Sequence, residues 1–574
     1  MARTLHHRAF ARVAPMRAKL FFYLCALMAA YLGVRLYLVQ VVQGPTLARE
    51  AREQDSNTVE VFARRGFIAD RNGTVLVRSL PSESVYAVPH DLTDPDATVA
   101  ALQQIFGKLD PQTIAELHDK SLWFVWIARK VPVEIAQRVR KAGLGGIELK
   151  EEATGKRIDT VGDLASTVLG FVGTDEDGLD GLEYEFDSLL RGQSGQVTLE
   201  TDDFGRPIPF GHETVVKAAQ PGLSLELTLD SYLQFVTEEA LDQAVAKAHA
   251  KDGTAIVMDP WTGEILALAN IPHFDPNYFW KYPARDYEDR AVVDTYEPGS
   301  TYKLVTAAAA LASGRVTMQT RFPARDEITI DGNTIHNADD DMPVHGTTET
   351  LEQIVEYSHN VGAAEVGLAT GAQNFYDMER KAGFGSPTDV ELPGESPDLV
   401  PSPDQWSELS LPTMSFGQGV AVTPIAMARY YCAIANGGLL LRPRIVRAIE
   451  DQHGKIVYQY PVEVEHRVFS EKIAAELREM LRAVVTNGTG RFVAQIPGYT
   501  TAGKTGTAQM AENGVYQPGM YAPSFIGMIP AEHPRFVIYV KIEDPVGMYY
   551  GSEIAGPVFA TIAREAMLHA GILP

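Results

Sequence analysis

Cysteine is nearly missing from this chain of 574 residues, which holds only Cys25 and Cys432. Cys25 lies in an apolar run, and Cys432 lies in ARYYCAIANGG, a stretch that predicts a buried helix. A disulfide framework is therefore excluded, and cysteine usage does not reveal the redox compartment. Positive charge is also short: 50 Lys and Arg stand against 74 Asp and Glu, a net charge of −24. Nucleic acid, which calls for a basic face, is excluded as the main partner. The 14 histidines form no H-E-x-x-H or similar spacing, and neither a P-loop nor a dinucleotide fingerprint occurs. No metal or cofactor is expected. Internal repeats and low-complexity tracts are absent as well, while the length allows three or four domains.

Long hydrophobic runs are scarce, with one exception at the N-terminus. Residues 1–19 carry Arg3, Arg8, Arg12, Arg17 and Lys19 and no acid, and LFFYLCALMAAYLGVRLYLVQVV follows from Leu20 to Val42. About 20 apolar residues suffice to cross a bilayer. Basic residues before the run, and Glu50, Glu53 and Asp55 after it, predict a cytoplasmic tail with the rest of the chain outside the membrane. Arg35 interrupts the run, and Leu20–Val34 alone would suit a cleaved signal peptide. No A-x-A site follows at the right place, however, the residues before Cys25 form no lipobox, and the apolar pattern resumes after Arg35. The expectation is an uncleaved signal anchor, with Arg35 snorkelling to the outer face or touching another membrane protein. Tail and span together hold six basic residues and no acid, so the remainder carries −30.

Beyond the span, LAREAREQ predicts a short helical continuation. VEVFARRGFIADRNGTVLV alternates and turns like strands, with Asn72-Gly73 as a hairpin signal. Residues 91–150 read as mixed helix and strand. GLDGLEYEFDSLLRGQSGQVTLETD predicts a helix ended by Gly192 and then a strand, and PIPFGHETVVKAAQPG predicts a polar connector. The texture changes near Leu223. SYLQFVTEEALDQAVAKAHAK is an amphipathic helix, and GTAIVMDPWTGEILALAN is a hairpin turned by Asp259, Pro260, Thr262 and Gly263. RFVIYVKIEDP is a buried strand, and AGPVFATIAREAMLHAG is a closing helix. Strands first, helices in the middle, and strands with a helix at the end predict a sheet flanked by helices, in a domain of about 350 residues.

Chemistry enters with TYEPGSTYKLVTAAAAL, Thr295 to Leu311. Leu and Ala predict a buried helix beginning at Ser300, and residues i and i+3 share one face of a helix, so Ser300 and Lys303 should touch. A helix N-terminus and burial both disfavour an ammonium, and a neutral lysine beside a serine is a base beside a nucleophile. A lone S-x-x-K is more often an N-cap serine followed by a snorkelling lysine. Two further patterns change the odds. EYSHNVGAAEVG holds Ser358 and Asn360 at S-x-N spacing, otherwise a plain helix cap. GYTTAGKTGTAQM holds Lys504, Thr505 and Gly506, otherwise a glycine-rich hairpin with an exposed lysine. Each pattern occurs once, in the order known for active-site serine penicillin-binding proteins and class A β-lactamases.

With those residues the chain resembles a class B, monofunctional penicillin-binding protein, from the membrane anchor to near the C-terminus. RRGFIADRNGTVLV and GLDGLEYEFDSLLRGQSG look like the family's boxes in the non-catalytic pedestal. MSFGQGVAVTPIAMARYYCAIANGG and SFIGMIPAEHPRFVIYVKIEDP look like flanking elements of the transpeptidase domain. EPGSTYK is closer to the septal, FtsI-like branch than to the elongation branch. His359 departs from the serine, cysteine or aspartate more usual inside S-x-N.

The resemblance implies a membrane-anchored α+β protein with a cytoplasmic tail (1–19), a transmembrane signal anchor (20–42) and an elongated mixed pedestal of dimerisation type (43–222). A transpeptidase domain with a central antiparallel sheet flanked by helices (223–574) would follow. It implies a D,D-transpeptidase that crosslinks peptidoglycan stem peptides ending in D-Ala-D-Ala and is acylated by β-lactams. Ser300 would be the nucleophile, Lys303 its base and Ser358 a proton relay shared with Lys504, while Asn360 would hold the substrate amide. The backbone N–H groups of Ser300 and Thr507 would form the oxyanion hole. Lys504, Thr505, Gly506 and Thr507 would bind the terminal carboxylate end of the donor. Expected partners are a SEDS-family, FtsW-like glycosyltransferase beside the span and other division proteins on the pedestal. An elongation-type transpeptidase, a D,D-carboxypeptidase and a β-lactam sensor are the competing functions. The pedestal speaks against a simple carboxypeptidase, and the 19-residue tail speaks against a sensor.

Overall fold

A computed structural model of the chain describes residues 5–47, 49, 56–200, 213–338, 343, 344, 346–512 and 515–574. Arg3, Glu50, Glu53, Asp55, most of LAREAREQ and residues 207–212 of the expected connector lie outside the described residues.

Two compact units emerge, residues 1–63 with 193–220, and residues 64–192 with 221–574. In the first, a helix runs from Leu5 to Tyr37 and continues as a wider turn over Leu38–Val42. Its stretch Met16–Val42 is long and apolar enough to cross a membrane, and Arg35 sits in the last turn of the helix. This unit also holds a three-stranded antiparallel sheet of Ser56–Val61, Gly195–Glu200 and Glu213–Lys217. Glu213–Lys217 corrects the sequence expectation of a connector. Its Thr-Val-Val core pairs with Gln196–Leu199, a partner that no local pattern reveals.

The second unit contains two large sheets. One has seven strands, and Asn72-Gly73 turns the expected hairpin within it: Ile68–Ala69 pairs antiparallel with Val75–Ala87. Gly73 takes φ +83°, the left-handed conformation for which glycine is suited. The same sheet takes in Val125–Pro132 and Ile147–Asp159 from the N-terminal part, and Ser224–Leu227 and Val446–Glu450 from the C-terminal part. GLDGLEYEFDSLL forms two short helices rather than one, Gly181–Glu185 and Asp187–Leu190, because Phe186 leaves helical geometry and turns into the core.

The other sheet runs in the order Ile265–Ile271, Asp252–Met258, Phe536–Glu543, Val515–Ile529 and Ala502–Glu512, antiparallel throughout. Side chains alternate between its faces. Ala255, Val257, Ile538 and Val540 pack under the helices Ser231–Ala248 and Ala555–His569. Ile256, Met258, Val537 and Tyr539 belong to a second core with the helices Lys303–Ser313 and Pro424–Ala435. Burial on both faces explains why Phe536–Ile542 is apolar nearly throughout instead of alternating.

Two buried carboxylates mark where this unit is vulnerable. Glu183 is fully buried between two guanidiniums: Arg65 Nη2 lies 2.6 Å from its Oε2, and Arg157 Nε lies 2.6 Å from its Oε1. Breaking a buried ion pair typically costs about 3–5 kcal/mol. Glu183→Gln is expected to lower the unfolding free energy by about that much, read by denaturant titration of the purified chain. The second carboxylate is Glu379, whose Oε1 accepts a hydrogen bond of 2.9 Å from Tyr302. Burial raises the pKa of Glu379 to about 8. A carboxyl held above its unfolded value folds with its proton on. Its stabilising effect is therefore complete below the unfolded value and is lost as pH rises towards 8. Glu379→Gln keeps an acceptor for Tyr302 without the proton. Thermal unfolding from pH 5 to 8 should show a stability slope shallower by about 1.4 kcal/mol per pH unit than in the parent.

Candidate active site

The sequence places Ser300 at the head of a helix, and the chain builds something tighter. Gly299–Tyr302 is a 3-10 turn, and the α-helix begins only at Lys303. In a 3-10 turn the side chains at i and i+3 eclipse, which brings Ser300 and Lys303 closer than an α-helical start would. Lys303 Nζ lies 3.0 Å from Ser300 Oγ. Gly299 takes φ +55°, and its N–H donates to Gly417 O at 3.1 Å, so the turn is tied to the MSFGQG segment. Lys303 is buried and Ser300 half-buried.

Ser358 and Asn360 reach the same point from two other helices. Ser358 ends the helix Leu351–Tyr357 in the left-handed region, φ +72°, and Asn360 begins the helix Asn360–Thr370. Neither caps a helix N-terminus with its side chain, which removes the plain capping reading of S-x-N. Lys303 Nζ donates to Asn360 Oδ1 at 2.8 Å and to the carbonyl oxygen of Ser358. Ser358 Oγ lies 3.0 Å from Ser300 Oγ and 3.2 Å from Lys303 Nζ.

Lys504 comes from the strand Ala502–Glu512. It is fully buried, not exposed as a glycine-rich hairpin would leave it. Its Nζ donates to Ser358 Oγ at 2.9 Å and to Thr505 O at 3.2 Å. Gly506 follows, where a Cβ would stand 2.4 Å from Ser524 Oγ and 3.1 Å from Thr301 Cγ2. Only glycine lets this strand lie against the turn that carries the serine.

Ser300, Ser358, Asn360, Thr505 and Thr507 line one narrow cleft with Gly299, Ala338, Phe416, Gln418 and Ala508. All the residues singled out from the three motifs thus converge. A wider cavity of about 570 Å³, lined by Arg482, Phe492 and Tyr499 among others, holds none of them. Three contributions were missed in the sequence. Phe416 and Gln418 stand in a stretch read only as flanking. Thr489 Oγ1 lies 2.8 Å from Thr505 Oγ1. Glu297 Oε1 accepts from Gly419 N and Oε2 from Tyr516 Oη, each at 2.9 Å. Burial raises the pKa of Glu297. A glutamate directly before Pro-Gly-Ser was the signal available for the last of these.

Comparison with known proteins agrees with this geometry. Residues 253–564 match the family described as the penicillin binding protein transpeptidase domain, and residues 60–227 match the penicillin-binding protein dimerisation domain. The chain is 32% identical over 565 residues to the peptidoglycan D,D-transpeptidase FtsI of Escherichia coli, covering 96% of this chain and 91% of that protein. It is 33% identical over 550 residues to stage V sporulation protein D of Bacillus subtilis, covering 95% and 84%. Among solved structures it is similar to penicillin binding protein 3 of Mycobacterium tuberculosis, with TM-score 0.70 and 29% identity over 90% of this chain and 98% of that one. Pedestal, sheet and serine–lysine cleft thus occur together along nearly the whole chain, which belongs to the class B penicillin-binding proteins and is an FtsI-like peptidoglycan D,D-transpeptidase.

Proposed function

We propose that Ser300 is the acylated nucleophile and that Lys303, as a neutral amine, is its base. The observation that carries this is the set of acceptors around Lys303 Nζ. Asn360 Oδ1 and Ser358 O are oxygens with no hydrogen to give, and both lie within hydrogen-bonding distance. A neutral amine has two hydrogens, and these two oxygens take them. Its lone pair is then left for the Ser300 hydroxyl, 3.0 Å away. Ser300 Oγ attacks the carbonyl carbon between the two terminal D-alanines while its proton passes to Lys303 Nζ. The backbone N–H groups of Ser300 and Thr507 stabilise the oxyanion. A donor of that kind typically contributes about 10²–10³ in rate.

As the C–N bond breaks, the leaving nitrogen takes a proton through the Ser358 hydroxyl, and D-alanine departs. The Lys504 ammonium donates to Ser358 Oγ, so the hydroxyl hydrogen of Ser358 is directed towards Ser300 and Lys303. Asn360 holds the substrate amide. Lys504, Thr505, Gly506 and Thr507 receive the terminal carboxylate end. Ala502–Glu512 is the last strand of its sheet, and its outer edge accepts the peptide as an added strand. An amine from a neighbouring stem peptide then attacks the ester, restoring the Ser300 hydroxyl and forming the crosslink. The same ester forms with β-lactams, which mimic acyl-D-Ala-D-Ala.

The same reading assigns residues 1–19 to the cytoplasm, 20–42 to the membrane, 43–222 to a pedestal and 223–574 to transpeptidation outside the membrane. The excess of Arg and Lys before the span supports that orientation. A septal role follows the FtsI-like likeness, with an FtsW-like polymerase beside the span and other division proteins on the pedestal.

Labelling of membranes with a fluorescent penicillin tests the assignment. The parent should give a labelled band that Ser300→Ala abolishes, and a band that persists in Ser300→Ala removes Ser300 from its role. Lys303→Arg retains a cation that cannot readily shed its proton. It should bind the drug reversibly and acylate very slowly, whereas near-normal acylation would contradict the base assignment.

A further inference from the structure

We propose that the buried pair His359–Glu349 is a positioning device for the site, a hydrogen-bonded tether that holds the Ser358–Asn360 turn from behind. The inference rests on the reading of Ser300 as nucleophile and concerns residues that touch neither substrate nor reacting atoms.

His359 stands between Ser358 and Asn360. Those two side chains face the lysines, and the imidazole turns the other way. Its Nδ1 lies 2.5 Å from Glu349 Oε2, with His359 fully buried and Glu349 nearly so. A carboxylate has no hydrogen to give, so Nδ1 carries the proton and donates. Glu349 belongs to the short strand Thr348–Thr350, which pairs with Arg321–Pro323. The anchor is therefore held outside both helices that the turn joins. Room for it is built in. A Cβ at Gly362, in the first turn of the helix Asn360–Thr370, would stand 2.5 Å from Glu349 Oε1 and 2.7 Å from Ile354 Cγ1.

The turn needs a hold. Ser358 is a non-glycine residue at φ +72°, a strained conformation that persists only where its surroundings impose it. That conformation aims both its carbonyl and its hydroxyl at Lys303 Nζ. Slack of about 1 Å in such a turn would cost up to about 100-fold in rate. Other titratable groups stand on the elements packed around the pair. Glu365, on the following helix, has its pKa raised by burial and by Glu349, against the lowering effect of Arg325, whose Nη1 lies 3.7 Å from its Oε1. Glu352 and Glu356 lie on the preceding helix, and the Tyr357 ring centroid is 5.8 Å from that of His359. Lys303 and Lys504 face the opposite side of the turn.

The test is the acylation of the full-length chain in membranes by fluorescent penicillin, resolved into the dissociation constant of the non-covalent complex and the acylation rate constant. Glu349→Leu fills the space and cannot accept a hydrogen bond. It should slow acylation by about tenfold or more and change the dissociation constant by less than about threefold. Glu349→Gln still accepts from Nδ1–H, and the Asn amide of His359→Asn takes the place of that donor, so both should stay within about threefold of the parent. The double variant Glu349→Leu/His359→Leu should acylate no more slowly than the slower single variant, the non-additivity of residues acting as one unit. Near-parental acylation by Glu349→Leu would overturn the tether, as would a loss of tenfold in either hydrogen-bond-keeping variant. Should Glu349→Leu not fold, Glu349→Gln and His359→Asn decide: retained activity in both supports the tether, and its loss in either refutes it. Ser300→Ala run in parallel separates the two readings, since label persisting there defeats the nucleophile assignment, whereas a silent Ser300→Ala beside a normal Glu349→Leu defeats the tether alone.

Discussion

A buried amine is held by the acceptors around it, and Lys303 Nζ lies within hydrogen-bonding distance of Asn360 Oδ1, the Ser358 carbonyl and the Ser300 hydroxyl. Three chain segments meet at the Ser358 hydroxyl: its own reversal, the turn bearing Ser300 and Lys303, and the strand bearing Lys504. An oxygen without hydrogen contributes attraction only to an N–H, so Asn360 Oδ1 and the Ser358 carbonyl orient the amine beside the serine. The second lysine acts differently. Its Nζ donates to Ser358 Oγ, so the two lysine side chains share that hydroxyl between them.

The rest of the fold can be read as support for that meeting point. The helix Lys303–Ser313 is alanine-rich because it runs through the core, where Ala307 to Ala310 are buried with Leu304 and Val305. Small side chains let neighbouring helices and the sheet approach closely, and dense packing prevents the helix from shifting along its axis. The antiparallel sheet is covered on both faces, so its last strand is rigid where Lys504 is mounted and open along one edge. Tyr431, fully buried, donates to Thr301 O at 2.9 Å and fixes the backbone one residue past Ser300. Rigidity of this kind keeps reacting groups aligned before the substrate arrives, the general route by which position is converted into rate.

Much of this was legible in the linear sequence, because the signals involved are local. The apolar run from Leu20, the hairpin at Asn72-Gly73, the hairpin turned at Asp259–Gly263 and the closing helix all follow from periodicity and turn chemistry within a few residues. Signals that depend on a distant partner were not legible. Glu213–Lys217 reads as a connector because its polar ends hide a strand that exists only beside Gln196–Leu199. The break at Phe186 depends on a core that forms elsewhere. Gln418 and Thr489 bear no mark of the cleft they adjoin, since nothing near them in the chain needs them there. His359 stood out only as a departure from a pattern, and its partner, ten residues earlier, carried no signal at all.

By itself, the sequence marked the three motifs and the grouping of residues within each, because spacing within a turn or a strand is set by backbone geometry. It also marked the run from Leu20 to Val42 as apolar and long enough to cross a bilayer. Tertiary structure alone decided that three motifs spread over some two hundred residues meet at one hydroxyl, that of Ser358, that Ser358 holds a left-handed conformation, and that an imidazole points away from the site towards a buried carboxylate. Those outcomes depend on the directions of side chains on packed elements, and direction is a property of the assembled core that no local stretch of chain contains.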